Sequence, residues 1–268
     1  MRLLSAFRGA AGIRGVFCDI DDTLTTDGRL TAEAYSALER LRAAGKLVVP
    51  ITGRPAGWCD HVARMWPVDA VVGENGAFYF SYDRAARRLV KRFRDDEATR
   101  AANRARLAAV RERVLAEVPG SGVASDQLYR ETDLAIDYCE DVPPLPRQAV
   151  ERIVAIMEAS GMTAKVSSIH VNGWFGHYDK LGMTRTLMQE RFGVDLDQED
   201  ARAHYAFVGD SPNDAPMFAF FPHSVGVANV RDFDGRMSAP PRFVTTARCG
   251  AGFAELADMI IREGASNP

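Results

Sequence analysis

The sequence predicts an α/β fold: a doubly wound parallel-sheet core carrying an inserted α+β unit. Three observations predict it. Up to residue 76, apolar runs of strand length alternate with amphipathic helical stretches, the rhythm of βαβ units. The same rhythm returns after residue 176. Between the two lies a hairpin and then an α-β-β-α-β-β succession, whose short paired strands do not continue a parallel sheet. The core is therefore expected at residues 1–83 and 174–268, and the insert at 84–173.

The first strand, residues 16–18, stops abruptly at Asp19, Asp21 and Asp22. Ionised carboxylates resist burial unless something compensates them. A divalent cation is the simplest compensation, and hard oxygen ligands suit magnesium. The stretch reads as a strand that delivers acids to a metal at its carboxyl end, where open parallel sheets bind ligands. A surface turn in which the acids cap the next helix is the plain alternative. After a turn at 25–28, Thr31 is placed to cap a helix with Ala34, Tyr35, Leu38 and Leu41 on one face, ended by Gly45. A second strand over 47–51 ends at Thr52-Gly53-Arg54, and Pro55 suits the first turn of the following helix. A third strand over 69–72 ends at Gly73-Glu74-Asn75-Gly76.

The pattern then changes: residues 77–82 and 89–93 look like a hairpin around a basic turn, Arg84 to Arg88, read as a solvated face. A long helix over 97–118 presents Leu107, Val110 and Val114 on one side. Strands are expected at 128–132 and 134–138, a helix bearing Val150, Ile153, Val154 and Met157, then strands at 163–167 and 169–172. Gly173 and Gly176 make the return hinge. The core resumes with a helix from Lys180 through Arg191 and a strand at 205–208 that ends in Gly209-Asp210-Ser-Pro-Asn213-Asp214. Strands at 224–228 and 243–245 follow, and Gly250-Ala-Gly252 precedes a closing helix.

Composition narrows the class. With 47% hydrophobic and 26% charged residues the chain is an ordinary globular one. Its 33 Lys plus Arg against 36 Asp plus Glu leave a net charge of −3, which argues against a generic nucleic-acid binder. A phosphorylated substrate needs only a local cluster of cations. The four cysteines are too scattered for a CxxC pair or zinc knuckle and read as reduced thiols of a cytoplasmic protein. No apolar run approaches the roughly 18 residues of a membrane helix, so no membrane partner is expected. The first residues lack the long apolar core of a targeting peptide and read as a plain extension.

The polar groups that end core strands or open core helices form a set: Asp19, Asp21, Asp22, Thr52, Lys180, Asp210, Asn213 and Asp214. The set suits phosphoryl transfer through an aspartyl-phosphate. One carboxylate attacks phosphorus, a second protonates the leaving oxygen and then takes a proton from water, and a metal with a lysine stabilises the transition-state charge.

Asp19-Ile-Asp21-Asp22-Thr23 resembles the first motif, DxDxT, of the haloacid dehalogenase superfamily of phosphatases. Ile51-Thr52-Gly53-Arg54 resembles the second motif, Lys180 the third, and Gly209-Asp210-Ser-Pro-Asn213-Asp214 the fourth in its GDxxND form. Ser224-Val-Gly-Val-Ala-Asn229 is also similar to the family. The insert resembles the type IIB cap of that superfamily, as in Cof-like sugar phosphatases and sucrose-phosphate phosphatase. The resemblance implies a Rossmannoid core and a role for each motif position. Asp19 would be nucleophile and magnesium ligand. Asp21 would be general acid and base, with its backbone carbonyl on the metal. Thr52, Gly53 and Lys180 would hold the phosphoryl group, Asp210 would ligate magnesium, and Asn213 and Asp214 would orient the metal's surroundings or Lys180. Asp22 departs from the commonest pattern, which has Gly there, and is expected to be secondary.

Other positions stay open between chemistry and structure. Arg54 faces either substrate or solvent. Glu74 and Asn75 either line the cleft or form a turn. His170, Asn172 and His177 flank the return hinge and face the substrate or are structural. Arg130, Glu131 and Asp133 are candidate specificity groups in the insert. The expected activity is magnesium-dependent hydrolysis of a small phosphorylated metabolite, foremost a sugar phosphate. Phosphoglycolate hydrolysis, a phosphomutase and a non-catalytic phospho-ligand-binding protein are the alternatives. The oligomeric state is not legible.

Overall fold

The computed structural model describes residues 1–167 and 169–265; the last three residues of the expected core segment 174–268 lie outside the described residues. The chain opens with β1 (Arg2–Leu3) and β2 (Gly15–Cys18), a small hairpin of β3 (Thr25–Thr26) and β4 (Arg29–Leu30), then α1 (Ala32–Ala43), β5 (Leu47–Pro50), α2 (Ala56–Met65) and β6 (Val71–Gly73). The middle holds β7 (Phe78–Asp83), β8 (Arg88–Phe93), α3 (Glu97–Glu117), β9 (Gly122–Val123), β10 (Asp133–Asp137), α4 (Arg147–Ala159), β11 (Thr163–Val166) and β12 (His170–Trp174). It closes with α5 (Lys180–Phe192), α6 (Glu199–Arg202), β13 (Tyr205–Gly209), α7 (Ala215–Phe220), β14 (His223–Gly226), β15 (Phe243–Val244) and α8 (Cys249–Ala265). Among the described residues, no helix is long and apolar enough to cross a membrane.

The central sheet has the order β1-β15-β14-β13-β2-β5, and every pair in it is parallel. A parallel bridge from Ile51 to Val72 carries it on to β6. Alternation along buried strands splits their side chains between two apolar layers. Val16 and Cys18 of β2, Val48 of β5 and Val208 of β13 enter one layer with α1, α2 and α8. Phe17, Val49 and Phe207 enter the other, with Met183 and Leu187 of α5 and Met217 of α7. Helices cover both faces, as the doubly wound reading expects. From β2 the chain moves to β5 on one side and later returns to β13 on the other. The carboxyl ends of β2, β5 and β13 thus border the crevice where strand order reverses.

A second, antiparallel sheet, β11-β12-β10-β9, packs Leu134, Ile136 and Val171 against α3 and α4. Its expected strand at 128–132 is absent. A single helical turn spans Gln127–Tyr129, and the extra strand is β9 instead. The Gln127 amide bridges the Asp133 carbonyl and the Ala135 N–H, while Arg130 folds inward between Asp126 and Asp133. These side-chain bonds compete with an extended ladder. β8, within the segment expected to be inserted, pairs with β7 along its length, and its Leu89 and Phe93 pack against the first core layer. Arg84 to Arg88 are exposed, as expected. The N-terminus is no loose extension: β1 pairs with β15, and Leu4, Phe7, Ala10 and Ile13 are buried. The closing helix starts at Cys249, so Gly250 and Gly252 lie inside it. Both positions call for glycine, because a Cβ there would meet the Leu24 and Ala247 carbonyl oxygens at 2.8 and 2.5 Å.

Candidate active site

Three strand ends and one helix start converge. Asp19 follows β2, its N–H donating to the Val208 carbonyl of β13 at 3.0 Å. Asp210 follows β13, and Asp214 lies one turn beyond it. Lys180 is the first residue of α5, whose N-terminus is capped by Asp179 accepting from the Gly182 N–H at 2.7 Å. Lys180 Nζ donates to Asp19 Oδ1 at 2.6 Å and to Asp214 Oδ1 at 2.9 Å, and lies 3.4 Å from Asn213 Oδ1. Burial works against the lysine's charge, but Asp19 and Asp214 outweigh it and raise its pKa.

Asp19, Asp210 and Asp214 each offer a carboxylate oxygen within 4.8 Å of the others, all buried. Burial, reinforced by Asp214 and Asp21 and only partly offset by Lys180, lifts the Asp19 pKa to about 8. Asp210 is raised as well, by burial first and then by Asp214 and Asp19. Lys180 offsets this crowding only in part, and a divalent cation would supply the remaining positive charge. Asp214 is already engaged, since its second oxygen accepts from the Asp210 N–H at 3.2 Å. Asp19 and Asp210 are the side chains that fit a metal. Asp210 is steadied by the Thr23 hydroxyl at 3.2 Å and, more distantly, by Asn229 Nδ2 at 3.5 Å.

The Asp21 carboxylate points elsewhere, into a fork formed by Arg54. Arg54 is thus paired with Asp21 at the wall of the cleft; it also lies over the Trp58 ring at 4.5 Å. Asp22 holds a left-handed conformation with φ +56°, and its carbonyl accepts from Asn229 Nδ2 at 2.9 Å. Burial, then Asp21, raises its pKa. Thr52 is fully buried. Its Oγ1 accepts from the Arg54 N–H at 3.0 Å, which leaves the hydroxyl hydrogen available to another acceptor. Gly53 and Arg54 line a cleft of about 820 Å³ together with Asp19, Asp21, Asp22 and Asp210.

Glu74 opens the helical turn Glu74–Gly76 and does not line this cleft. It is fully buried and accepts from the Ala56 N–H at 2.9 Å, the Glu131 N–H at 3.0 Å, the Thr132 N–H at 2.7 Å and the Thr132 hydroxyl. Burial, then Asp133, pushes its pKa up to about 7. Asn75 lines the cleft, with its side chain packed beside Gly53. Arg130 joins Asp126 and Asp133 and donates to the Gly53 carbonyl at 3.1 Å. The Glu131 side chain turns towards Arg104. His170 and Asn172 lie on β12 and line the cleft. His170 Nε2 lies 2.8 Å from the Glu140 carboxylate, while burial, opposed by Glu140, lowers its pKa. Asn172 donates to Asp133 at 3.2 Å. His177 is exposed and lines a neighbouring cavity of about 640 Å³ instead. Sequence reasoning quoted Thr23 and Asn229 only as parts of motifs, without a role, and missed Asp126 and Lys165. For Lys165 the available signal was two-residue alternation along its strand, which sets it on the side of the sheet opposite Ala164.

A family model described as haloacid dehalogenase-like hydrolase matches residues 16–102. A phosphoglycolate phosphatase of Pyrobaculum neutrophilum is 31% identical over 267 residues, covering 96% of this chain and 100% of that protein. The chain belongs to the haloacid dehalogenase-like hydrolases. Within that superfamily it falls among the phosphatases. Solved structures share the fold of this hydrolase. A Thermoplasma acidophilum protein superposes with a TM-score of 0.68 at 18% identity, over 92% of this chain and 98% of that one. The sucrose-phosphatase of Synechocystis sp., solved with sucrose and phosphate, superposes at 0.61 and 15% identity, over 97% and 98%. A HAD/COF-like hydrolase from Plasmodium vivax does so at 0.66 and 16%, over 94% and 96%.

Proposed function

We propose that this hydrolase is a magnesium-dependent phosphomonoesterase that works through a phosphorylated Asp19. The observation that carries the reading is the 2.6 Å contact of Lys180 with Asp19, inside a cluster where Asp210 and Asp214 crowd the same buried space. Asp19 attacks phosphorus, and the bond to the leaving oxygen breaks as Asp21 donates its proton to that oxygen. A water oxygen then attacks phosphorus, its proton goes to Asp21, and the Asp19–phosphorus bond breaks to release inorganic phosphate. Lys180, the Thr52 hydroxyl and the Gly53 backbone hold the phosphoryl oxygens. Asp19, Asp210 and the Asp21 backbone carbonyl would hold magnesium, which supplies charge to the transition state. Asp214 and Asn213 position Lys180.

The segment inserted within residues 84–173, after the β8 strand that stays with the core, acts as a cap over the cleft. Its substrate is a small phosphorylated metabolite. The sucrose-phosphatase relative points to a sugar phosphate, and the Pyrobaculum relative to phosphoglycolate. The test is phosphate release from a panel of phosphomonoesters with magnesium, with chelator, and with Asp19→Asn. Metal-dependent turnover lost in the variant supports the reading. Turnover that survives in Asp19→Asn overturns it.

A further inference from the structure

The register of the cap sheet decides which of its side chains look into the cleft. Asn172 pairs with Lys165 on one side and Ala135 on the other, and Val171 pairs with Val166 and Ile136. Successive residues point to opposite faces. Leu134, Ile136 and Val171 go to the helices, so Lys165, His170 and Asn172 go to the cleft, which all three line.

Lys165 differs from the other cations around this space. Arg54 is paired with Asp21, Arg130 with Asp126 and Asp133, and Lys180 with Asp19 and Asp214. Arg248 is paired with Asp232, and Arg236 donates to the Asp232 carbonyl. Lys165 has no hydrogen bond or ion pair among the described residues. The acids of the same sheet face are already occupied. Asp133 accepts from Arg130 and Asn172, and Asp137 accepts from the N–H groups of Cys139, Glu140 and Asp141. A sugar ring presents hydroxyl donors that call for free acceptors, carboxylates foremost. The cap sheet turns no unengaged carboxylate towards the cleft among the described residues, and it does turn one unengaged ammonium.

We infer that Lys165 binds a carboxylate on the leaving group, so that the preferred substrate is a small phosphomonoester carrying a second anionic group, of which phosphoglycolate is a simple member. This rests on the phosphomonoesterase reading above and selects between its two candidate leaving groups. Lys165 sits on an exposed stretch of β11, so its replacement leaves the packed core untouched.

The experiment measures kcat and KM with magnesium for 2-phosphoglycolate and for 2-hydroxyethyl phosphate, an ester of similar size without the carboxylate, in the parent, Lys165→Met and Lys165→Glu. The parent is expected to prefer the carboxylate ester. Lys165→Met is expected to lower kcat/KM for that ester about 10- to 100-fold, the range of a lost charge-assisted hydrogen bond, chiefly through KM. Its rate on 2-hydroxyethyl phosphate stays within about twofold of the parent. Lys165→Glu erases or inverts the preference. Equal losses on both esters, or no loss on either, overturn the inference while the phosphatase reading stands. Calorimetric binding of 2-phosphoglycolate to the parent and to Lys165→Met covers the case of no turnover. Binding that weakens in the variant then keeps the inference and overturns the phosphatase reading; unchanged binding overturns both.

Discussion

Arg54 grips Asp21 by both carboxylate oxygens, with Nε 3.0 Å from each and Nη2 2.7 Å from Oδ1. Bidentate pairing fixes direction as well as charge. Arg54 is itself seated between Asp126, at 3.9 Å, and the Trp58 ring. The proposed acid and base is thus oriented by a side chain that also reaches Asp126. Asp21→Asn should lower kcat by about 10²- to 10⁴-fold, the usual range for a general acid and base. Arg54→Ala should lower kcat by roughly tenfold through a misdirected Asp21, and Arg54→Lys should recover only part of it because an ammonium lacks the fork. Full activity in Arg54→Ala would remove Arg54 from any positioning role.

Metal dependence should show in stability as well as turnover. The Asp19 pKa moves from the usual 3.8 to about 8 in the folded chain, through burial before all else. Between those values the folded chain keeps a proton that the unfolded chain has lost. Without metal, the Asp19 contribution to stability therefore falls as pH rises through that window. Magnesium replaces the proton, so its stabilising effect should grow with pH. The rise in Tm on adding magnesium, measured against chelator, should be larger at about pH 8.5 than at about pH 5.5. An identical rise at both would show that these buried acids do not hold the metal.

Gly76 and Lys180 are linked through Asp179. Gly76 has φ +104°, and a Cβ there would lie 2.0 Å from the Asp179 carbonyl oxygen. Asp179 caps the helix that Lys180 opens. Gly76→Ala should therefore displace the lysine from Asp19 and lower kcat/KM by at least about tenfold, since small misplacements at a reacting centre are costly. A parent-like rate with an unchanged Tm would refute the link.

Glu74 joins the start of α2 to residues 131 and 132 by accepting from the Ala56, Glu131 and Thr132 N–H groups. Glu74→Ala leaves those N–H groups without their partner in a buried place. Urea unfolding should show a loss of roughly 3 kcal/mol. A loss within the scatter of surface substitutions would mean that water or a rearranged loop satisfies them.

Asp22 adopts φ +56°, a region that glycine enters without steric cost. This accounts physically for Gly at the corresponding place in the commonest form of the motif. Asp22→Gly should keep kcat/KM within about threefold of the parent and leave stability unchanged or up to about 1 kcal/mol higher. A loss as deep as that of Asp19→Asn would make Asp22 part of the chemistry.

Much of this protein is legible in its amino-acid order because the signals are local. An apolar strand that ends in acids is written within a few consecutive residues, and burying such charges without compensation is too costly to be incidental. Helical and two-residue periodicities locate the parallel core, the long helix over 97–118 and the strands that carry Asp19, Thr52 and Asp210. The loop from 126 to 132 escapes because the bonds of Gln127 and Arg130 override its strand-like composition. The partners of the functional groups are out of reach as well. Asp19 meets Lys180 across 161 positions, Arg54 meets Asp21 across 33, and Glu74 meets Thr132 across 58. Which acids a chain will bring to strand ends follows from sequence, since strand length and side-chain charge are local properties. Which of them is paired, which is left to a metal and which lysine stands unengaged over the cleft is decided only when sheet register and chain reversal bring distant residues within a few ångströms, where electrostatic and hydrogen-bond energies become large.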